Sequence, residues 1–197
     1  MNATFDTTIT GLEAKLFTTE GTDKIDVLND LAWALGYQHP ARAFTLGTDA
    51  CEQSELLAYP KGIGYAERAM ANCCWRLTDY ADGLTHIARA ISIFETLDER
   101  SALASSFNLL GLIHDRLGNV AEAFAAHFKS LALSQEIHDA FGEAMSLTNI
   151  GIIYKRLGEY FKSLEFQLLS LHIYQSLHHE RSLSQVHANI GRSWLSD

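Results

Sequence analysis

The sequence repeats itself every 40 residues, and this period constrains the fold more than any other feature. Four segments align without gaps, beginning at residues 61, 101, 141 and 181, and the last of them is incomplete. One column holds Met70, Leu110, Ile150 and Ile190, and the next holds the small residues Ala71, Gly111, Gly151 and Gly191. A fixed period of this length indicates a solenoid in which each unit buries its apolar face against the next.

Each repeat is predicted to form two helices joined by a short turn. In one unit, apolar residues recur at helical spacing over 101–117 and again over 120–137, with Gly118 and Asn119 between them. The same pattern predicts breaks near residues 77–80 and 157–160. So short a turn requires antiparallel packing, and we expect the small residue of each repeat to let the partner helix approach closely.

These columns resemble the tetratricopeptide repeat, whose pattern is a bulky residue, Leu-Gly, an aromatic residue, Gly-x-Tyr and Ala. The matching residues are Phe107, Leu110-Gly111, His114, Gly118-x-Val120 and Ala123 in one unit, and Leu147, Ile150-Gly151, Tyr154, Gly158-x-Tyr160 and Ser163 in the next. The resemblance implies an all-α fold, a right-handed superhelical solenoid of antiparallel helix hairpins. The period exceeds the family's usual length of about 34 residues, which implies longer helices.

The repeat array is predicted to cover residues 23–197. Its repeats lie at about 23–60, 61–100, 101–140 and 141–180, with a partial repeat at 181–197. Residues 1–22 are predicted to form an N-terminal segment with a short capping helix at 9–18. Because the partial repeat stops where its second helix should begin, we expect a fragment of a longer protein, the alternative being a natural end capped by a helix at 181–195.

The incomplete last repeat suggests a surface for self-association. Val186, Ile190 and Trp194 share one side of the predicted helix 181–195, which lacks a partner helix. We therefore expect these residues to form an exposed apolar face that a homodimer could cover.

The composition narrows the functional classes. The net charge is −9, whereas nucleic-acid binding needs a basic surface, so no nucleic-acid partner is expected. No apolar run reaches the roughly 18 residues that cross a bilayer, and the N-terminus lacks the basic and apolar segments of a signal peptide. The sequence thus predicts a cytoplasmic protein with no membrane partner.

No residue pattern points to catalysis or to a cofactor. The sequence contains no nucleophile elbow, no phosphate-binding loop and no His-Glu-x-x-His motif. Cys51, Cys73 and Cys74 lack the spacing of a disulfide framework or a zinc site, so buried thiols are expected. The repeat-end histidines His138 and His178 are expected to be solvated, because stacked repeats about 10 Å apart cannot share a metal ion. We expect a protein that is not an enzyme and holds no cofactor or metal.

The family resemblance also implies that the first helix of each hairpin lines a concave groove. These helices carry eight basic residues in the four in-phase units, against the acidic residues Glu67, Asp115 and Glu143. Guanidinium groups pair well with carboxylates or phosphates, and an amide can bond both polar groups of an extended backbone. The candidate groove residues are Arg68, Asn72, Arg76, Arg116, Asn149, Lys155, Arg156, Asn189 and Arg192.

Two other interpretations of these residues stay open. Arg76, Arg116 and Arg156 lie at predicted helix C-termini, where a cation stabilises the helix dipole by about 0.3–1 kcal/mol. Asn149 and Asn189 could be buried amides that bond the adjacent helix.

A functional prediction comes from a second resemblance. The segment LNDLAWALGYQHPARAF at 28–44 is similar to the start of the sensory repeat arrays that precede cyclase, diguanylate cyclase and histidine kinase domains in bacterial signalling proteins. The resulting prediction is a non-catalytic module, the sensory or regulatory part of a larger bacterial signalling protein. Its concave groove would bind a peptide or protein segment that is acidic or extended. The alternative is a scaffold that assembles or dimerises through the open ends of its solenoid.

Overall fold

The computed structural model describes residues 2–191, with the side chains of residues 8–191. This part of the chain contains ten helices and no strand, so the predicted all-α fold is confirmed. The helices are α1 (Asn2–Leu16), α2 (Gly21–Leu35), α3 (Pro40–Leu56), α4 (Pro60–Arg76), α5 (Tyr80–Leu97), α6 (Arg100–Leu117), α7 (Val120–Glu136), α8 (Ala140–Arg156), α9 (Tyr160–Ser176) and α10 (Glu180–Gly191).

One turn geometry ends every helix from α3 to α9 and recurs every 20 residues. Its central residue has a left-handed backbone and is in turn Ala58, Thr78, Asp98, Gly118, His138, Gly158 and His178. The next residue donates its N–H to the carbonyl oxygen five residues back, as Asp79 does to Cys74 and Asn119 does to His114. This Schellman motif satisfies carbonyl groups that the end of a helix leaves unbonded. The predicted breaks within the hairpins are confirmed, and the same turn also joins one hairpin to the next.

The described chain divides into two compact units, residues 1–99 and residues 100–197. In unit 1, α2 and α3 form one hairpin and α4 and α5 form the next. Since α2 and α4 are each antiparallel to α3, they run in the same direction, and they also contact each other. Asn29 of α2 donates its side-chain N–H to the Gly62 carbonyl of α4 at 3.0 Å. The helix α1 packs on α2, with Leu12 and Leu16 against the buried Leu31 and Leu35.

Unit 2 repeats the arrangement with α6 and α7, α8 and α9, and then α10 packed on α9. Val186 of α10 is completely buried in a core with Ala144 and Tyr174, and Ile190 is partly buried beside it. The expectation that Val186 belongs to an exposed apolar face is therefore wrong, because the preceding hairpin already covers that side of α10. Trp194, which was assigned to the same face, lies outside the described residues.

Close contacts require the small residue in two of the repeats, at Gly111 and Gly151, whereas a Cβ atom on Gly191 would meet no atom within 4 Å. A Cβ atom on Gly111 would lie 2.6 Å from Cε1 of the His127 ring. On Gly151 it would lie 2.8 Å from Cγ of Gln167 and 3.2 Å from the Ser163 carbonyl oxygen. The predicted approach of the partner helix thus holds at Gly151, whereas at Gly111 the imidazole ring of the partner helix fills the space.

Candidate functional site

Two arginines of α4 are held against aromatic rings in unit 1. The Arg68 guanidinium carbon lies 4.5 Å from the Trp33 ring centre on α2 and 4.8 Å from the Tyr65 ring centre on α4. Such stacking over ring faces attracts a cation. Burial lowers the pKa of Arg68, an effect opposed by the nearby Tyr65 and Asp30. Arg68 is thus a partly buried cation in a fixed position.

Arg76, two turns further along α4, makes the same arrangement. Its guanidinium carbon lies 4.4 Å from the Tyr37 ring centre and 4.6 Å from the Trp75 ring centre. Burial is again the main cause that lowers the pKa of Arg76. Arg76 is also the last residue of α4, so its position fits the helix-dipole interpretation as well as binding.

Asn72 lies between the two arginines, one turn from each. A Cβ atom on Gly36 would lie 2.7 Å from the Asn72 Nδ2 atom, so the end of α2 comes close to this amide because Gly36 has no side chain. The three predicted groove residues of this unit therefore share one side of α4. Together with Trp33 and Tyr37, which are 42% and 61% exposed, they form a surface that we call the α2–α4 face.

The N-terminal part of α2, away from Trp33, carries acidic side chains. Asp26 accepts a hydrogen bond from the Tyr59 hydroxyl at 3.0 Å, and burial together with this bond raises the pKa of Tyr59. Burial and the neighbouring Asp26 raise the pKa of Asp30. Polarity thus changes along the paired helices, from carboxylates near the start of α2 to cations and aromatic rings near its end.

Most of the predicted residues of unit 2 contact partners within that unit. The Arg156 guanidinium pairs with both carboxylate oxygens of Asp115, with Nη1 2.9 Å from Oδ2. Lys155 donates to the Asn189 carbonyl at 2.9 Å. Arg116 is exposed at the end of α6. The charge of Arg156 is therefore neutralised by Asp115, and Arg192 lies outside the described residues.

The amide of Asn149 also has a partner within unit 2. Its Nδ2 atom donates to Asn108 Oδ1 at 2.9 Å, which links α8 to α6. This contact supports the interpretation of Asn149 as an amide that bonds an adjacent helix. It still leaves the Asn149 carbonyl oxygen as an acceptor for other donors.

Glu67 does not contribute to the charge of any groove, although its position in α4 suggested that it would. It is completely buried, and three donors surround its carboxylate. His86 Nδ1 lies 2.6 Å from Oε2, and Arg89 Nη1 lies 2.6 Å from Oε1. The Cys51 Sγ atom lies 3.8 Å from Oε1.

Sequence reasoning missed this cluster, although one signal was present. The column that holds Glu67 continues with Phe107 and Leu147, so a carboxylate interrupts a core position. Burial raises the pKa of Cys51 to about 11, with the Glu67 charge as the next cause, so the thiol remains protonated. A protonated thiol is a poor nucleophile, and the cluster therefore packs α3, α4 and α5 together without the features of a catalytic site.

Burial also favours the neutral form of three other ionisable groups. Burial raises the pKa of Cys73 to about 12 and that of Cys74 to about 11. Burial lowers the pKa of His127 to about 4, so this ring is neutral at physiological pH. Within residues 8–191, no group of three or more His, Cys, Asp or Glu side chains is arranged to hold a metal ion.

The family of the chain follows from its sequence match and agrees with its hairpins. The model of the tetratricopeptide repeat matches residues 63–136 and again residues 103–176, which together cover more than half of the chain. The chain belongs to the tetratricopeptide repeat family. A fold of this family is generally a non-catalytic module for protein interaction, and among the described helices none is long and apolar enough to cross a membrane.

Two solved structures have the same fold. Aspartyl phosphate phosphatase F from Bacillus subtilis matches with a TM-score of 0.78 at 17% identity, over 89% of this tetratricopeptide repeat chain and 46% of that protein. BtubC (BKLC) from P. vanneervenii matches with a TM-score of 0.65 at 19% identity, over 79% of this chain and 66% of that one. The chain thus spans less than two thirds of either protein. No curated protein matches it in sequence.

Proposed function

We propose that the chain is a non-catalytic protein-binding module whose α2–α4 face binds an acidic segment of a partner. The observation that carries this proposal is the pair of stacked arginines, Arg68 and Arg76, on one side of α4. Aromatic rings cover the faces of each guanidinium group. A carboxylate bonds the edge of a guanidinium group, so an acidic ligand and the rings do not compete.

The spacing of the arginines defines the ligand. Eight residues separate Arg68 from Arg76, which is about 12 Å along a helix. In an extended peptide, residues four apart lie about 13 Å from each other. An extended segment with acidic side chains at positions i and i+4 could therefore reach both guanidinium groups, with Asn72 positioned to bond its backbone between them.

The two cations of the α2–α4 face belong to a unit that is strongly acidic as a whole. Residues 1–99 hold seven Lys and Arg against fifteen Asp and Glu, a net −8. Two cations nevertheless lie on the α2–α4 face, where burial lowers the pKa of both. An anionic ligand would compensate for this desolvation. The acidic remainder of the unit would repel an anion that approached elsewhere, which favours selective binding at this face.

In this proposal the module is the sensory or regulatory part of a larger bacterial signalling protein in the cytoplasm. Support comes from the resemblance of residues 28–44 to sensory repeat arrays and from the fold shared with a protein named for aspartyl phosphate phosphatase activity. Arg116, Asn149, Lys155, Arg156 and Asn189 form a second candidate contact surface in unit 2. The partner would be a protein or peptide, and no cofactor is invoked.

Fluorescence anisotropy with two labelled peptides of equal charge tests the proposal. One peptide has the core Glu-Ala-Ala-Ala-Glu and the other has the core Glu-Glu-Ala-Ala-Ala. We expect the spaced peptide to bind more tightly, and the double variant Arg68→Gln, Arg76→Gln to weaken its binding about tenfold or more, as loss of about 1.4 kcal/mol would. The effect should shrink at high salt, because screening reduces exposed charge interactions.

The control is Arg42→Gln, which removes one positive charge of unit 1 from the exposed pair of Arg42 with Glu13. This variant should bind the spaced peptide as the wild type does. If both peptides bound the wild type and the double variant with the same affinity, the acidic-segment proposal would be refuted. Arg76 would then have only a structural role, in which it stacks on its aromatic rings and stabilises the helix dipole.

A further inference from the structure

The helix α9 exposes large apolar side chains on its solvent side, although Leu171 and Ile173 of the same helix pack against the core. Its buried residues are Ser163, Gln167, Ser170 and Tyr174. On its solvent side, Phe161 is 93% exposed, and Leu168 and Leu169 are 49% and 51% exposed. A soluble helix normally places its apolar stripe against the core. The exposed side of α9 therefore has the composition of a surface that another molecule covers.

The second helices of the other hairpins do not share this feature. The two residues at the middle of these helices lie in one repeat column, and they are Thr48-Asp49 in α3, Ala88-Arg89 in α5, Phe128-Lys129 in α7 and Leu168-Leu169 in α9. Only α9 has two apolar residues at this position. The repeat pattern of the fold thus does not require an apolar centre here.

We propose that a second copy of the chain covers this surface, with the two α9 helices antiparallel about a two-fold axis at Leu168 and Leu169. We call the surface the α9 face, and its residues are Tyr160, Phe161, Lys162, Glu165, Leu168, Leu169, His172, Gln175, Ser176 and Leu177. Because α9 spans Tyr160–Ser176, these leucines lie at its midpoint. A two-fold interface must be complementary to itself, and the sequence of α9 satisfies this requirement.

The two-fold axis determines which residues of the two α9 helices meet. Leu168 meets the partner's Leu169, and the exposed Tyr160 meets the partner's Leu177, so apolar contacts lie at the centre and at both ends. Glu165 meets the partner's His172, Lys162 meets the partner's Gln175, and Phe161 meets the partner's Ser176. No charge faces a like charge. A two-fold axis at the equivalent position of α7 would put Phe128 against the partner's Lys129, so the centre of that interface would not be apolar.

The charge of unit 2 also permits self-association at this face. Residues 100–197 hold eight Lys and Arg against nine Asp and Glu, a net −1, compared with −8 for residues 1–99. Two copies that meet through unit 2 therefore bring little net charge together, whereas contact through unit 1 would be repulsive. This inference is independent of the acidic ligand proposed for the α2–α4 face.

Sedimentation velocity over micromolar to millimolar concentrations tests the inference with two single variants, Leu168→Glu and Leu169→Lys. Both sites are half exposed, and Lys already occupies the column of Leu169 in α7, so far-UV circular dichroism should show an intact fold. Each variant alone should weaken the dimer about tenfold or more. A mixture of the two should regain association, because the two-fold axis places the new acid of one chain against the new base of the other.

The control is Leu56→Lys, which replaces an 85% exposed leucine of unit 1 and should leave the dimer unchanged. A wild type that stays monomeric at millimolar concentration would overturn the proposal and leave the α9 face to a different protein. A dimer that survives both single variants, or a mixture that stays as weak as its components, would place the contact elsewhere and also overturn it.

Discussion

The buried carboxylate of Glu67 makes a quantitative prediction about stability. In Glu67→Leu, His86 and Arg89 lose the group that receives their hydrogen bonds. Removing one partner of a fully buried ion pair typically costs about 3–5 kcal/mol. Here water can reach the donors, since the His86 and Arg89 side chains are 20% and 54% exposed. We therefore expect a smaller loss of about 2–3 kcal/mol.

A double variant separates the loss of the carboxylate from the loss of packing. Glu67→Leu with His86→Phe introduces the residues that the repeat 141–180 has at the equivalent positions, Leu147 and Phe166. It replaces the buried polar pair by apolar groups and leaves Arg89 to solvent and to Glu55, 3.9 Å away. Since such replacements are often neutral or stabilising, we expect the double variant to lie within about 1 kcal/mol of the wild type.

Urea unfolding followed by far-UV circular dichroism measures both effects. The control is Glu55→Gln at an exposed partner of Arg89, where a surface pair contributes at most about 0.5 kcal/mol. If the single variant were as stable as the wild type, the carboxylate of Glu67 would not be offsetting the burial of the His86 and Arg89 donors. If the double variant were less stable than the single one, the polar cluster would be a net source of stability, and the reasoning would be wrong.

Three further perturbations probe the turns and the core. Thr78 is β-branched at φ +65°, so Thr78→Gly should stabilise the fold by about 1 kcal/mol and Gly118→Thr should destabilise it similarly, as urea unfolding would show. Gly151→Leu should cost about 2–3 kcal/mol, because its side chain would overlap Gln167, and an unchanged melting temperature would contradict this contact. The pKa of His127 lies at about 4, below its ordinary 6.5, so the unfolded chain takes up a proton first as the pH falls. Its contribution of about 3 kcal/mol should be present above pH 6.5 and lost between pH 6.5 and about 4, and His127→Gln should flatten that part of a stability–pH curve.

The hairpins could be predicted from the sequence because their signals are local. Gly118 and Gly158 mark turns that need a positive φ, and both have φ +78°. The turns between hairpins carry the same geometry at Asp98 and His138, which do not resemble helix-ending glycines. Asp and His adopt a positive φ more often than most residues do, but both are common elsewhere, so neither marks the end of a helix by itself.

The candidate site was only partly predictable, since its contacts join different helices. Helical spacing places Arg68 and Arg76 on one side of α4, and the structure agrees. Their ring partners Trp33 and Tyr37 come from α2 and from the turn that follows it, and which residues meet depends on how α2 and α4 are shifted along each other. The sequence alone does not give this register. For the same reason, the pairing of Asp115 with a cation of the next repeat could not be foreseen.

Because the same turn follows every helix from α3 to α9, it matters whether an insertion adds an odd or an even number of helices. A backbone built this way could gain a single helix of 20 residues as smoothly as a hairpin of 40, because each joint is the same. An odd insertion, however, would exchange the roles of first and second helices in everything downstream. Inserted before α6 it would assign Arg116 to a second helix and Leu168 to a first one. Evolution or design can therefore lengthen this protein in pairs of helices without disturbing its surfaces, but a single added helix would exchange them.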